Sequence, residues 1–66
     1  MRFDEFVSDA EAYWRANPSQ RKGQAYFNLL YRFRSDLANS LRSGPYDPFY
    51  NDDRLTDFLV TVQERW

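Results

Sequence analysis

Gln24-Ala25-Tyr26-Phe27-Asn28-Leu29-Leu30-Tyr31-Arg32-Phe33-Arg34 is the stretch on which the fold turns. Its apolar positions, Ala25, Tyr26, Phe27, Leu29, Leu30, Tyr31 and Phe33, fall on nearly every side of a helix, and no strand-like alternation runs through them. A helix apolar almost all round is normally surrounded by other elements. The stretch therefore predicts a central helix over about 24–34, and it requires partners.

Two segments have the matching pattern. Phe3, Phe6, Val7, Ala10 and Trp14 recur at i, i+3, i+4, i+7 and i+11, one face of a helix over 3–16. Asp4 and Glu5 sit in its first turn, where the helix dipole favours acids, and Asn17-Pro18 ends it. Leu55, Phe58, Leu59, Val62 and Trp66 repeat the same spacing over 53–65, with Asn51, Asp52 or Asp53 as cap. Between them, Ser35 or Asp36 can cap a short helix over 36–42 that places Leu37 and Leu41 on one side. Ser43-Gly44-Pro45 stops it, with Gly44 as the residue just past the end. Nothing between Phe33 and Leu37 is a strong breaker, so helices two and three read either as separate or as one bent rod. Asp47-Pro48-Phe49-Tyr50 reads as a capped single turn. The expected fold is all-α, a small three- to four-helix bundle forming one domain over residues 1–66.

Composition narrows the function. The 66 residues include six Phe, five Tyr and two Trp, and no Cys or His. Aromatic side chains bury about 150–250 Å² each, enough to build a core in so short a chain without disulfide or metal. The missing Cys and His remove disulfide frameworks, Cys/His zinc sites and nucleophile–histidine catalysis. A bundle this small also offers little cleft in which to desolvate a carboxylate pair. The chain is thus expected to be non-enzymatic, with no cofactor. No run approaches the roughly 18 apolar residues of a membrane span, and Met1-Arg2-Phe3-Asp4-Glu5 lacks a signal-peptide core, so a cytoplasmic setting is the default.

Net charge is −1, unevenly spread. Arg21, Lys22, Arg32, Arg34 and Arg42 face a single acid, Asp36, in the middle of the chain, while both ends are acidic. This pattern predicts that the flanking segments pack against a basic centre; the other reading is an external anionic partner.

Three constellations stand out. Arg21 and Lys22 lead into a helix start with Gly23, and Gln24 and Asn28 share a face at i, i+4, an arrangement that can hold an anion such as a nucleotide or simply start a helix. No Walker-type continuation follows. The acids of Asp47 to Asp53 lack calcium-loop spacing and are better read as helix caps, so no metal is expected. Tyr13, Tyr26, Tyr31, Tyr46, Phe49, Tyr50 and Trp66 exceed what so small a core can hold, and tyrosines left at a surface are typical of interfaces. A helix-turn-helix reading fails because its second helix carries only Arg42 as a base-reading cation and begins with Asp36; the pI near 5.2 points the same way. Arg21, Lys22, Arg32 and Arg34 with interleaved tyrosines keep a nucleic-acid module as a lesser alternative.

Arg21-x-Gly23-Gln24-x-x-Phe27-Asn28-x-Leu30, Arg34-x-Asp36-Leu37-Ala38, Asp47-Pro48-Phe49-Tyr50-x-Asp52-x-Arg54 and Phe58-Leu59 together resemble a group of small phage and prophage accessory proteins. The likeness runs from the Trp14 region to Trp66. Ser35 departs from it, standing where the group has a proline. What the resemblance implies is a setting inside a bacterial host cell and, by analogy, binding and inhibition of a host or defence protein. The leading expectation is a non-catalytic binder of a bacterial protein through Tyr46, Phe49 and Tyr50, with Arg21, Lys22, Gln24 and Asn28 beside them. Nucleotide capture before helix two, nucleic-acid binding and a homo-oligomeric module are the alternatives.

Overall fold

The computed structural model describes residues 1–66 and contains four α-helices and no strand. They are α1 (Phe3–Ala16), α2 (Lys22–Phe33), α3 (Ser35–Leu41) and α4 (Leu55–Arg65), with a 3-10 turn (Asp52–Arg54) leading into α4. The amphipathic stripe of α1 buries Phe6 and Ala10 completely and packs Phe3, Val7 and Trp14 at the edge of the core. Glu5 accepts the Arg2 backbone N–H at 2.9 Å, satisfying a donor ahead of the first turn. Asn17 ends the helix and turns its side-chain amide onto the Tyr13 carbonyl at 2.7 Å. In α4 the equivalent stripe buries Phe58 and Val62. Trp66 then stacks on Phe6 at 5.4 Å and meets Phe3 edge-on at 6.0 Å, joining α4 to α1.

Helix α2 packs against α1, α3 and the 3-10 turn. Ala25, Tyr26, Phe27, Leu29 and Leu30 are buried, as the sequence pattern requires. The encirclement is incomplete, because Tyr31 and Phe33 remain exposed. Phe27 meets Phe58 of α4 at 6.4 Å and Phe49 of the loop at 6.0 Å, so one ring links three elements.

Several boundaries differ from the sequence reading for identifiable reasons. Helices two and three are separate: Arg34 leaves the helical region at φ −139°, ψ 70°, and serves as the junction. Its guanidinium is held by Asp36 at 3.1 and 3.2 Å and by the Trp66 carbonyl at 3.0 Å, contacts that replace a proline as the cause of the break. Neither Ser35 nor Asp36 is the cap; both lie within α3. After α3 it is Ser43, not Gly44, that enters the left-handed region, at φ 62°. Asp47-Pro48-Phe49-Tyr50 forms no helical turn. Asp47 caps the Phe49 N–H and the Pro48 carbonyl then accepts the Asn51 N–H at 3.2 Å, which leaves Asn51 extended and free to cap the Asp53 N–H at 2.9 Å.

The start of α2 is the most consequential shift. The helix begins at Lys22, two residues earlier than the 24–34 reading, so Lys22 and Gly23 are helical rather than loop. The reason lies 29 residues downstream: Asp52 Oδ1 accepts the Gly23 N–H at 2.9 Å and caps the helix from outside. Gly23 also admits the chain itself. A Cβ there would collide with the Pro48 carbonyl oxygen and stand 2.8 Å from Asp52 Oδ1 and 3.0 Å from Pro48 Cβ. In an open helix, Gly to Ala stabilises by about 1 kcal/mol. Here the sign reverses: Gly23→Ala is expected to destabilise by about 2 kcal/mol through overpacking, lowering Tm by roughly 10 °C in a thermal melt. An unchanged or raised Tm would contradict the close approach.

Candidate functional site

The segment between α3 and the 3-10 turn has no regular structure, and polar ties hold it instead. Asp47 is buried, with both oxygens committed to backbone: Oδ2 accepts the Ser43 N–H at 2.7 Å and Oδ1 the Phe49 N–H at 2.9 Å. A left-handed non-glycine residue costs about 1–2 kcal/mol, and the Asp47 bond to Ser43 offsets that cost. Arg21 reaches over from the start of α2 and donates to the Phe49 carbonyl at 2.6 Å. Arg54 donates to the Gly44 carbonyl at 3.3 Å. Backbone fixed at so many points can present a side chain at low ordering cost. Tyr50 is that side chain: 85% of it is exposed, and its ring stands edge-on to Phe49 at 4.8 Å. Tyr46 is exposed on the same segment.

A groove of about 330 Å³ lies between this segment and α2. Phe27, Asn28 and Tyr31 line it from α2, Arg42 and Ser43 from the end of α3, and Asp47, Phe49 and Tyr50 from the loop. The Arg42 guanidinium lies 5.2 Å from the Tyr31 ring centre and 5.9 Å from that of Phe27, within cation–π range of both.

The structure thus brings together Asn28, Phe49 and Tyr50 of the residues singled out in the sequence, with Tyr46 nearby on the loop. Arg21 belongs to the scaffold, tying Phe49 and standing 4.0 Å from Asp52. Gln24 is half-buried on α2 and is not part of the groove lining. Asn28 pairs with Gln20 at 3.3 Å rather than with Gln24. Lys22 turns the other way, to α1, where it sits 3.8 Å from Glu11 and over Trp14 and Tyr26. At the α2 N-terminus the anion is the chain's own Asp52 carboxylate, and with Glu11 beside Lys22 this realises the complementarity of acidic ends and basic centre.

Sequence reasoning missed Arg42 and Ser43 as groove residues. Phe27 and Tyr31 share a helix face at i, i+4, which was visible. Arg42 reaches them only because the chain folds back at Arg34, and no local signal announces that turn.

A second polar cluster lies between α1 and α2. The Tyr26 hydroxyl donates to Glu11 Oε2 at 2.6 Å, and Arg15 and Lys22 flank the same carboxylate. The Tyr26 bond holds the Glu11 carboxyl below the usual range, with Lys22 and Arg15 adding to it. Burial, and then the bond to Glu11, pushes the Tyr26 phenol above its ordinary value.

No protein-family model, curated protein or solved structure matches this chain.

Linkage fixes the sign of the pH dependence in the Glu11–Tyr26 cluster. A lowered carboxyl pKa contributes stability that is present above the ordinary value of 4.5 and lost as pH falls through the lowered one. Tyr26→Phe is expected to lower Tm at neutral pH by roughly 5 °C, through loss of a charge-assisted hydrogen bond. The difference from the parent should shrink as the melts are taken to progressively lower pH below 4.5. A difference that stays constant with pH would place its origin outside the Glu11 contact.

Proposed function

We propose that this chain is a small accessory protein of the phage type that binds a bacterial host or defence protein and modulates it without catalysis, engaging it beside Tyr50. The observation that carries the reading is the 85% exposure of Tyr50 on a backbone tied down by Asp47 and Arg21. An exposed tyrosine on a mobile loop loses rotamer and backbone freedom on binding; one on a tied loop loses little. Tyr and Arg are also the side chains that most often carry interface energy, and Tyr50, Tyr46, Tyr31 and Arg42 lie on or beside the groove.

The bacterial setting rests on the resemblance to phage and prophage proteins. Capture of a small anion at the start of α2 is the less favoured reading, since Asp52 already accepts the Gly23 N–H.

The test is capture from bacterial lysate on immobilised wild type, Tyr50→Ala and Tyr46→Ala, each first matched for Tm. The wild type is expected to retain one stoichiometric protein, and Tyr50→Ala to weaken its affinity about tenfold or more, as removal of a hot-spot residue does. No retained protein on the wild type, or equal retention by all three, would contradict the proposal.

A further inference from the structure

We propose that the groove beside α2 reads a carboxylate: Arg42 takes an aspartate or glutamate side chain of the protein partner, and a neighbouring apolar residue of that partner packs on Tyr50. This rests on the partner-binding reading above and specifies the chemistry of the segment that binds.

The disposition of the cations selects Arg42. Arg2, Arg15, Arg21, Lys22 and Arg34 each have a carboxylate within 4.0 Å. Arg54 is taken by the Gly44 carbonyl. Arg32, Arg42 and Arg65 are left without an ion pair, and of these only Arg42 lines a concave surface. Its contacts with Tyr31 and Phe27 are made to ring faces, which orient the guanidinium without using its N–H donors. A planar fork held in this way matches a carboxylate with two parallel hydrogen bonds. The acid within the groove, Asp47, turns its oxygens onto backbone N–H groups and makes no ion pair with Arg42.

Size and charge favour a carboxylate on a protein over a nucleotide. About 330 Å³ lies at the small end of ligand sites and suits one acidic side chain and its neighbour. A phosphate group calls for several converging donors, commonly a helix N-terminus, and no first-turn residue of any helix is among those lining the groove. One guanidinium beside an exposed aromatic ring fits a monoanion attached to something apolar.

The experiment is a heteronuclear NMR titration of the full chain with two blocked peptides, acetyl-Gly-Phe-Glu-Gly-amide and acetyl-Gly-Phe-Gln-Gly-amide, and separately with AMP. The glutamate peptide is expected to shift the Arg42 side-chain N–H and the Ser43 and Asn28 amides saturably in the millimolar range. The glutamine peptide should bind about tenfold more weakly, the loss of one charge-assisted pair. Arg42→Lys keeps the charge but not the fork and should weaken the glutamate peptide several-fold, with Arg42→Ala abolishing the preference. Equal binding of the two peptides, no shift with either, saturation by AMP in place of the peptide, or the same shifts on raising protein concentration alone (a second copy as occupant) would each overturn the assignment. The two proposals fail separately. A partner captured from lysate equally well by wild type and Arg42→Ala sinks the carboxylate assignment and leaves the partner-binding reading standing.

Discussion

The Pro48 backbone and the Asp52 carboxylate close on the first turn of α2 at a residue with no side chain. Gly23 leaves room for the Pro48 carbonyl, and its N–H meets the Asp52 carboxylate. Two needs are met by one contact. The helix gains an acceptor for a donor that has no partner inside the helix, and the loop gains an anchor on the most buried helix of the molecule. From that anchor the rest of the loop is constrained: Arg21 reaches Phe49, Pro48 is buried, Asp47 closes on Ser43 and Phe49, and Tyr50 is left projecting. The groove exists because the loop is held at this distance from α2.

Away from the loop, the small chain solves its core with rings. Phe6 and Phe58 are fully buried, each contributing about 1.5–3 kcal/mol relative to exposure. Trp66 stacks against Phe6, and Phe27 joins α4 and the loop across α2. Polar groups at the edge of this core are paired: Tyr26 with Glu11, Arg34 with Asp36. No buried side-chain polar atom lacks a partner. Arg42 over Tyr31 is a cation left facing the groove against that background of pairing, and this contrast gives the groove its chemical character.

Periodicity made the four helices legible. The stripes of α1 and α4 and the nearly uniform greasiness of α2 each demand helix, and each was found at or within two residues of its expected place. Asp36 beside Arg34 and Asp47 at the left-handed Ser43 are near in sequence. Two boundaries turn on partners distant in sequence: Asp52 for the start of α2 and the Trp66 carbonyl for the break at Arg34. Local propensity carries no information about such partners. The candidate site was half legible for the same reason. Tyr46, Phe49 and Tyr50 stood out as surplus aromatics in a loop, whereas Arg42 became visible only once α3 was seen folded back along α2. Lys22, adjacent to Arg21 in sequence, turns instead to Glu11 on α1, because successive residues of a helix point about 100° apart.

The claim at the centre is that Asp52 caps α2 and so fixes the loop that carries Tyr50. Amide hydrogen exchange measured residue by residue tests it most directly. Gly23 is a first-turn amide without an intrahelical acceptor, and such amides ordinarily exchange quickly. Gly23 is expected to exchange markedly more slowly than its first-turn neighbours Lys22 and Gln24, and Asp52→Ala to abolish the difference. Rapid exchange at Gly23 in the parent protein, indistinguishable from those neighbours, would contradict it.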